Sequence, residues 1–177
     1  AGMSQNLAID IDFEGDDRII DGDADGIAEV DIGADEAAAA EEVWVDDDWA
    51  GLGLGDLIEG HVFGYDAFAS IQDGIYGVAP EGIVNVAEGT YDENIVWEKN
   101  ASILGSGASS CVIDGGDSGS GISTSGLNST SILDGFTITN GLANGGGMHN
   151  LHSDLQILNC HFLNNQAPVG YPCYGGG

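Results

Sequence analysis

Basic residues are almost missing from this chain. Arg18 and Lys99 stand against 30 acids, giving a formal net charge of −28. That makes nucleic acid and anionic membrane surfaces poor partners, because both are held by basic side chains that displace counterions. Proline is scarce too, at three residues beside 30 glycines. So much glycine excludes a mainly helical protein and points to many tight turns between short strands. No apolar run is long enough to span a bilayer, so membrane insertion is not expected. No signal-peptide pattern is expected from the residues at the start of this sequence. A start at Ala1 is compatible with a processed, exported protein or with a fragment.

Metal and redox motifs built on cysteine or histidine are also absent. There is no CxxC pair, and His61, His149, His152 and His161 lack a zinc-ligand spacing. The three cysteines are an odd number, so at most one internal bridge forms. Cys160 and Cys173 are close in sequence and could pair in an extracellular chain; three small buried residues are the equal alternative.

What the chain does contain argues for a folded protein. Its hydrophobic fraction of 42% is well above that of a solvating acidic tail. The 177 residues suffice for one domain, or one domain plus an arm. Self-repulsion at this charge opposes a compact state unless cations screen or bridge it. High salt or calcium-rich extracellular fluid would do so, and the near absence of lysine favours a halophilic or marine setting.

The segment from Asp21 to Asp31 reads Asp-Gly-Asp-Ala-Asp-Gly-Ile-Ala-Glu-Val-Asp. Calcium takes six to eight oxygens, and alternate carboxylates on a sharp turn supply them. Gly26 permits the positive φ such a turn needs. The expected ligands are Asp21, Asp23, Asp25, Glu29 and Asp31, with the carbonyl of Ile27. The spacing starts like an EF-hand loop but does not end like one, since Ile32 stands at the twelfth position. A solvated acidic turn is the plainer alternative. Asp12, Glu14, Asp16 and Asp17 form a second, less regular cluster.

Three zones follow from composition: an acidic arm over 1–36, a linker or short helical turn over 37–42, and glycine-punctuated strands over 43–177. Within the last zone one helix is expected at about 66–79. Asp66 would cap it, Phe68, Ile71, Ile75 and Val78 would form one apolar face, and Pro80 would stop it. Beyond it the chain repeats. Ile103, Leu133 and Ile157 can be set in register, and Leu133/Ile157, Phe136/Cys160, Ile138/Phe162 and Asn140/Asn164 align at a step of 24 residues. Such a period, with alternating apolar positions and glycine or asparagine at turns, predicts an all-β parallel solenoid of about four coils. Asn140 over Asn164 would form an amide ladder.

Trp44-Val45-Asp46-Asp47-Asp48, Asp66-Ala67-Phe68-Ala69-Ser70-Ile71-Gln72-Asp73-Gly74-Ile75, Val86-Ala87-Glu88-Gly89-Thr90-Tyr91 and Gly135-Phe136-Thr137-Ile138-Thr139-Asn140-Gly141 resemble right-handed parallel β-helix proteins of the pectin-lyase-like superfamily in bacteria and archaea. The resemblance covers residues 43–167. It implies a capping helix before the first coil, and it places an acidic segment like Asp21 to Glu36 after the last coil, whereas here it comes first.

The superfamily includes polysaccharide lyases, hydrolases and esterases, and fold does not fix activity. A lyase-like elimination wants an Arg or Lys base beside calcium. Arg18 lies in the arm and Lys99 at a turn, without a carboxylate-rich partner. Asp114 and Asp117 flank glycines as ordinary turn residues. Anionic sugar polymers would be repelled. The expectation is therefore not an enzyme but an extracellular or cell-surface structural subunit, its partner another copy of itself. The arm, with Ile11, Phe13, Ile19 and Ile20, would complete the open last coil of a neighbour around Ile157, Phe162 and Tyr174. The alternatives are a fragment of a tandem β-helix surface or adhesion protein, and a carbohydrate-binding or lyase-like β-helix. Two sequons, at Asn100 and Asn128, would be glycosylated in an exporting organism with that machinery.

Overall fold

The computed structural model describes residues 19–20, 29–30, 39–143 and 145–167. The chain divides into two compact units, Ala1–Ala38 and Ala39–Gly177. In the first, β1 (Ile19–Ile20) and β2 (Glu29–Val30) pair antiparallel, Ile19 opposite Val30 and Ile20 opposite Glu29.

The second unit is all-β, with short strands that return in turn to the same three sheets. β3 (Ala40–Val45) begins inside the stretch read as a linker. A single turn of 3-10 helix at Asp47–Trp49 follows, then an antiparallel hairpin of β4 (Leu57–Ile58) and β5 (His61–Val62), and the short β6 (Ala67–Phe68). After helix α1 (Ile71–Gly77) the strands come in threes. These are β7 (Val78–Val86), β8 (Gly89–Asp92) and β9 (Ile95–Trp97); β10 (Ser102–Gly105), β11 (Cys111–Asp114) and β12 (Ile122–Ser125); then β13 (Ile132–Asp134), β14 (Thr137–Thr139) and β15 (Met148–Leu151). β16 (Gln156–Leu158) and β17 (His161–Leu163) come last. The first sheet runs β6-β3-β7-β10-β13-β16, the second β8-β11-β14-β17 and the third β9-β12-β15, all parallel. This arrangement of stacked parallel sheets is compatible with a β-solenoid.

Alternation makes the core. Val43, Val84, Ile103 and Leu133 stand in register on the first sheet and are at most 1% exposed. Tyr91, Ile113 and Ile138 stand in register on the second sheet, and Ile95 and Ile122 on the third, all at most 2% exposed. Each such side chain contributes about 1.5–3 kcal/mol by leaving water. The expected registers are present: Ile103 faces Leu133, Leu133 faces Ile157, and Ile138 faces Phe162.

Two expectations are corrected. The helix is shorter than 66–79, spanning Ile71–Gly77, and its N-cap is Ser70, whose hydroxyl accepts from the Asp73 N–H at 3.1 Å. Asp66 is drawn away by other donors, since its carboxylate accepts from the Val62 N–H and contacts His61. Phe68 lies in β6, and Pro80 lies inside β7, where Ala40 faces Val78 but Glu42 faces Ile83, so the proline sits in a bulge that needs no ladder hydrogen bond from it. The amide ladder also differs. Asn140 and Asn164 share a left-handed backbone, φ 54° and 56°, but the Asn140 amide donates back to the Asp114 carboxylate at 2.9 and 3.0 Å.

The helix is held at both ends by side chains that flank β9. The Glu93 carboxylate accepts from the Ile71 and Gln72 N–H groups at 2.8 and 2.9 Å, meeting donors that a helix start leaves unpaired. Lys99 Nζ donates to the Tyr76 and Val78 carbonyls, both at 2.8 Å, placing a cation where the helix dipole favours one. Between them Gln72 uses its amide like a strand, donating to the Val96 carbonyl and accepting from the Val96 N–H. Lys99→Met should lower stability by about 1–3 kcal/mol, the loss expected for hydrogen bonds from a charged donor. Urea denaturation of the two proteins side by side checks this; an unchanged midpoint would show that the helix end does not depend on Lys99.

Candidate functional site

The segment between β3 and β6 builds an open cleft of about 410 Å³ against the first sheet. Trp44, Asn85 and Leu104 are in register on β3, β7 and β10, and all three line it. Their neighbours Val43, Val45, Val84 and Val86 are buried on the inner face, so this row points outward. Asp46, Trp49, Glu59 and His61 complete the polar and aromatic lining.

The hairpin delivers two of these groups. Ile58 pairs with His61, leaving Glu59 and Gly60 as a two-residue loop with φ of 53° and 94°. Two successive positive φ angles are those of a type I′ turn, whose twist matches the strands it joins. The turn carries His61 onto Trp44, with ring centroids 4.0 Å apart and planes 28° from parallel. His61 Nδ1 lies 2.9 Å from Asp66 Oδ2, within hydrogen-bond distance. Trp49 is about nine-tenths buried, and its indole N–H has no acceptor among the described residues. The Trp97 indole, by contrast, donates to the Lys99 carbonyl.

Burial raises the Asp66 pKa, but the His61 hydrogen bond and the Val62 N–H together outweigh it and hold the carboxyl below its ordinary 3.8. A lowered acid contributes stability that is complete above the unfolded pKa and is lost as pH falls through the folded one. Asp66→Asn should therefore remove an advantage seen above about pH 4 and flatten the acid limb of the unfolding curve below it. Acid titrations followed by tryptophan fluorescence check this, and identical limbs would refute it.

The other expected residues fall as follows. Of the calcium set, Glu29 lies in β2, while Asp21, Asp23, Asp25, Ile27 and Asp31 lie outside the described residues. Ile11, Phe13, Cys173 and Tyr174 lie outside them too; Ile19 and Ile20 form β1. Among the described residues, no group of three or more His, Cys, Asp or Glu side chains is placed to hold a metal. Ile157 and Phe162 are 42% and 40% exposed, at the ends of ladders whose earlier members are buried. Asn100 and Asn128 share one corner: the Asn100 side-chain oxygen accepts from the Asn128 N–H at 2.9 Å, and Asn128 is exposed. Burial pushes the Cys111 thiol up to about 12 and raises that of Cys160 as well, so neither is a ready thiolate. Lys99 Nζ, the lysine considered as a lyase-like base, donates to two carbonyls.

Sequence reasoning missed the cleft. Its signals were two tryptophans within six residues, Trp44 and Trp49, and a Glu-Gly pair flanked by Ile58 and His61. Among the described residues no helix is long and apolar enough to cross a membrane. Compared with protein-family models, curated proteins and solved structures, the chain matches none.

Proposed function

We propose that residues 43–177 form a right-handed parallel β-helix of the pectin-lyase-like kind, with about four coils and α1 as its N-terminal cap. We infer that it is a non-enzymatic structural subunit outside the cell. Copies assemble end to end, the arm of one completing the open last layer of the next.

The observation that supports this reading is the difference between the two ends of the stack. At one end the first strand of each sheet has at least one partner. β6 covers β3, the Asp47 carboxylate accepts from the Thr90 N–H of β8, and the Gln72 amide pairs with Val96 of β9. At the other end, among the described residues, no strand pairs with the outer edges of β15, β16 and β17. Leu151, Ile157, Leu158, Phe162 and Leu163 are 40–50% exposed there. Such an edge is a template for a further strand. Because the first end is already covered, two copies do not simply stack coil on coil, and the added strands come from elsewhere. The apolar residues of the arm supply them. Burying a handful of such side chains contributes on the order of 10 kcal/mol before ordering costs. A contact between unlike surfaces does not close on itself, so it builds a filament or surface layer.

A second reading is favoured by the division of the chain at Ala38. In it the arm ends one domain of a tandem surface or adhesion protein and the next domain begins near Val43. Deleting residues 1–36 separates the two. On the assembly reading the truncated protein is a monomer or disordered aggregate, and electron microscopy shows ordered polymers only for the full chain. Filaments of unchanged form without the arm would end that reading.

Calcium at Asp21, Asp23, Asp25, Glu29, Asp31 and the Ile27 carbonyl would offset repulsion between subunits of −28. Calorimetric titration should show calcium binding by the full chain and a marked loss in Asp23→Ala. Equal or absent binding in both would remove the site.

A further inference from the structure

The geometry points to the cleft over β3, β7 and β10 as a binding site for a small organic ammonium ion that also carries an oxygen acceptor. This stands apart from the assembly reading, since the cleft lies at the covered end of the stack.

Four observations converge. First, the cleft offers carboxylates and neither lysine nor arginine. Asp46 and Glu59 line it, and Lys99 is engaged at the end of α1. A chain of −28 concentrates cations at its surface and repels anions. Second, two indoles line the same space, Trp44 held in place by the His61 ring. Indole is the ring that best attracts a large, weakly hydrated cation, and quaternary ammonium groups are recognised in this way. A hard metal ion is a poorer fit, because among the described residues no group of three or more His, Cys, Asp or Glu side chains is placed to hold one.

Third, Trp49 is about nine-tenths buried and its indole N–H lacks an acceptor among the described residues. Buried indole donors ordinarily find one. A ligand oxygen in the cleft would serve, which is why a hydroxyl or carboxyl beside the ammonium group is part of the assignment. Fourth, Glu59 occupies a left-handed turn position with φ of 53°, followed by Gly60. Asn-Gly is the pair such a turn favours. A glutamate there carries a local cost, and an outlier of this kind at a cleft is where a ligand contact is to be sought.

The full chain with choline as probe tests the assignment, read by tryptophan fluorescence and by calorimetry in about 0.15 M salt, where diffuse counterion effects are screened. Choline should bind, and its neutral isostere, with carbon in place of the quaternary nitrogen, about tenfold or more weaker. Glucose should not bind. Glu59→Asn is the decisive variant, because it removes the charge while giving the turn its preferred residue. It should melt no lower than the parent and bind choline about tenfold more weakly. Glu59→Gln should weaken binding likewise. Choline binding no different from that of the isostere, or unchanged in both Glu59 variants, would overturn the proposal. So would preferential binding of glucose, which would make the cleft a site for neutral sugars.

Discussion

A parallel β-layer has two edges, and each must be met by something that can hydrogen-bond. Inside the stack the neighbouring layer does this. Val43, Val84, Ile103 and Leu133 then bury one another in succession, and the ladder fails only at Ile157, where exposure rises to 42%. At the first layer the chain turns to side chains. Asp47 and Gln72 imitate strand backbone for β8 and β9, and β6 supplies two residues of real strand for β3. The position of α1 follows from that need. Gln72 serves the edge of β9 only if the helix is fixed beside it, and Glu93 and Lys99, on either side of β9, fix it. The chain places its one lysine where a catalytic role would have to break the cap.

The same reasoning accounts for a folded unit with so many acids. Cations are not the usual partners here; amide N–H groups are. Asp114 accepts from the Gly116 N–H and from Asn140, Asp134 from Asn159, Glu42 from Asn85, and Asp66 from Val62. Several of these bonds cross from one layer to the next, so the acids help to fix register instead of only repelling. Hydrogen bonds to charged groups contribute about 1.5–3 kcal/mol each, against exposed ion pairs of about 0–1. Such partners do not weaken in high salt as surface ion pairs do.

The stacking register was legible because it rests on a strict alternation repeated at a step of 24 residues, and Ile138 opposite Phe162 follows from counting. The helix was legible in kind but not in length. Phe68, Ile71 and Ile75 fit one helical face, yet the choice of cap depended on which donors reach Asp66, and those lie on a hairpin that no periodicity announces. The cleft was hidden for a related reason. Leu57, Ile58, His61 and Val62 form too short a hairpin to leave a pattern, and Trp44 meets His61 only through tertiary placement. Glu93 as a helix-end acceptor was equally out of reach, since its partners are 21 and 22 residues away.

Charge is not spread evenly along the chain, and this bears on how copies would come together. Residues 1–36 hold 12 of the 30 acids in about a fifth of the length. Many acids of the second unit already have amide donors, as Asp47, Glu93 and Asp114 do, and no metal-holding group occurs among its described residues. On the proposed reading, a cation that enables assembly would act chiefly at the arm. The arm is also the segment whose apolar residues would enter a neighbour's open edge. One ion could then neutralise the turn, order the segment and permit its approach to another acidic subunit. On the proposed reading calcium would regulate association and act little on the stack, whose registers, buried ladders and amide donors are formed by its own residues.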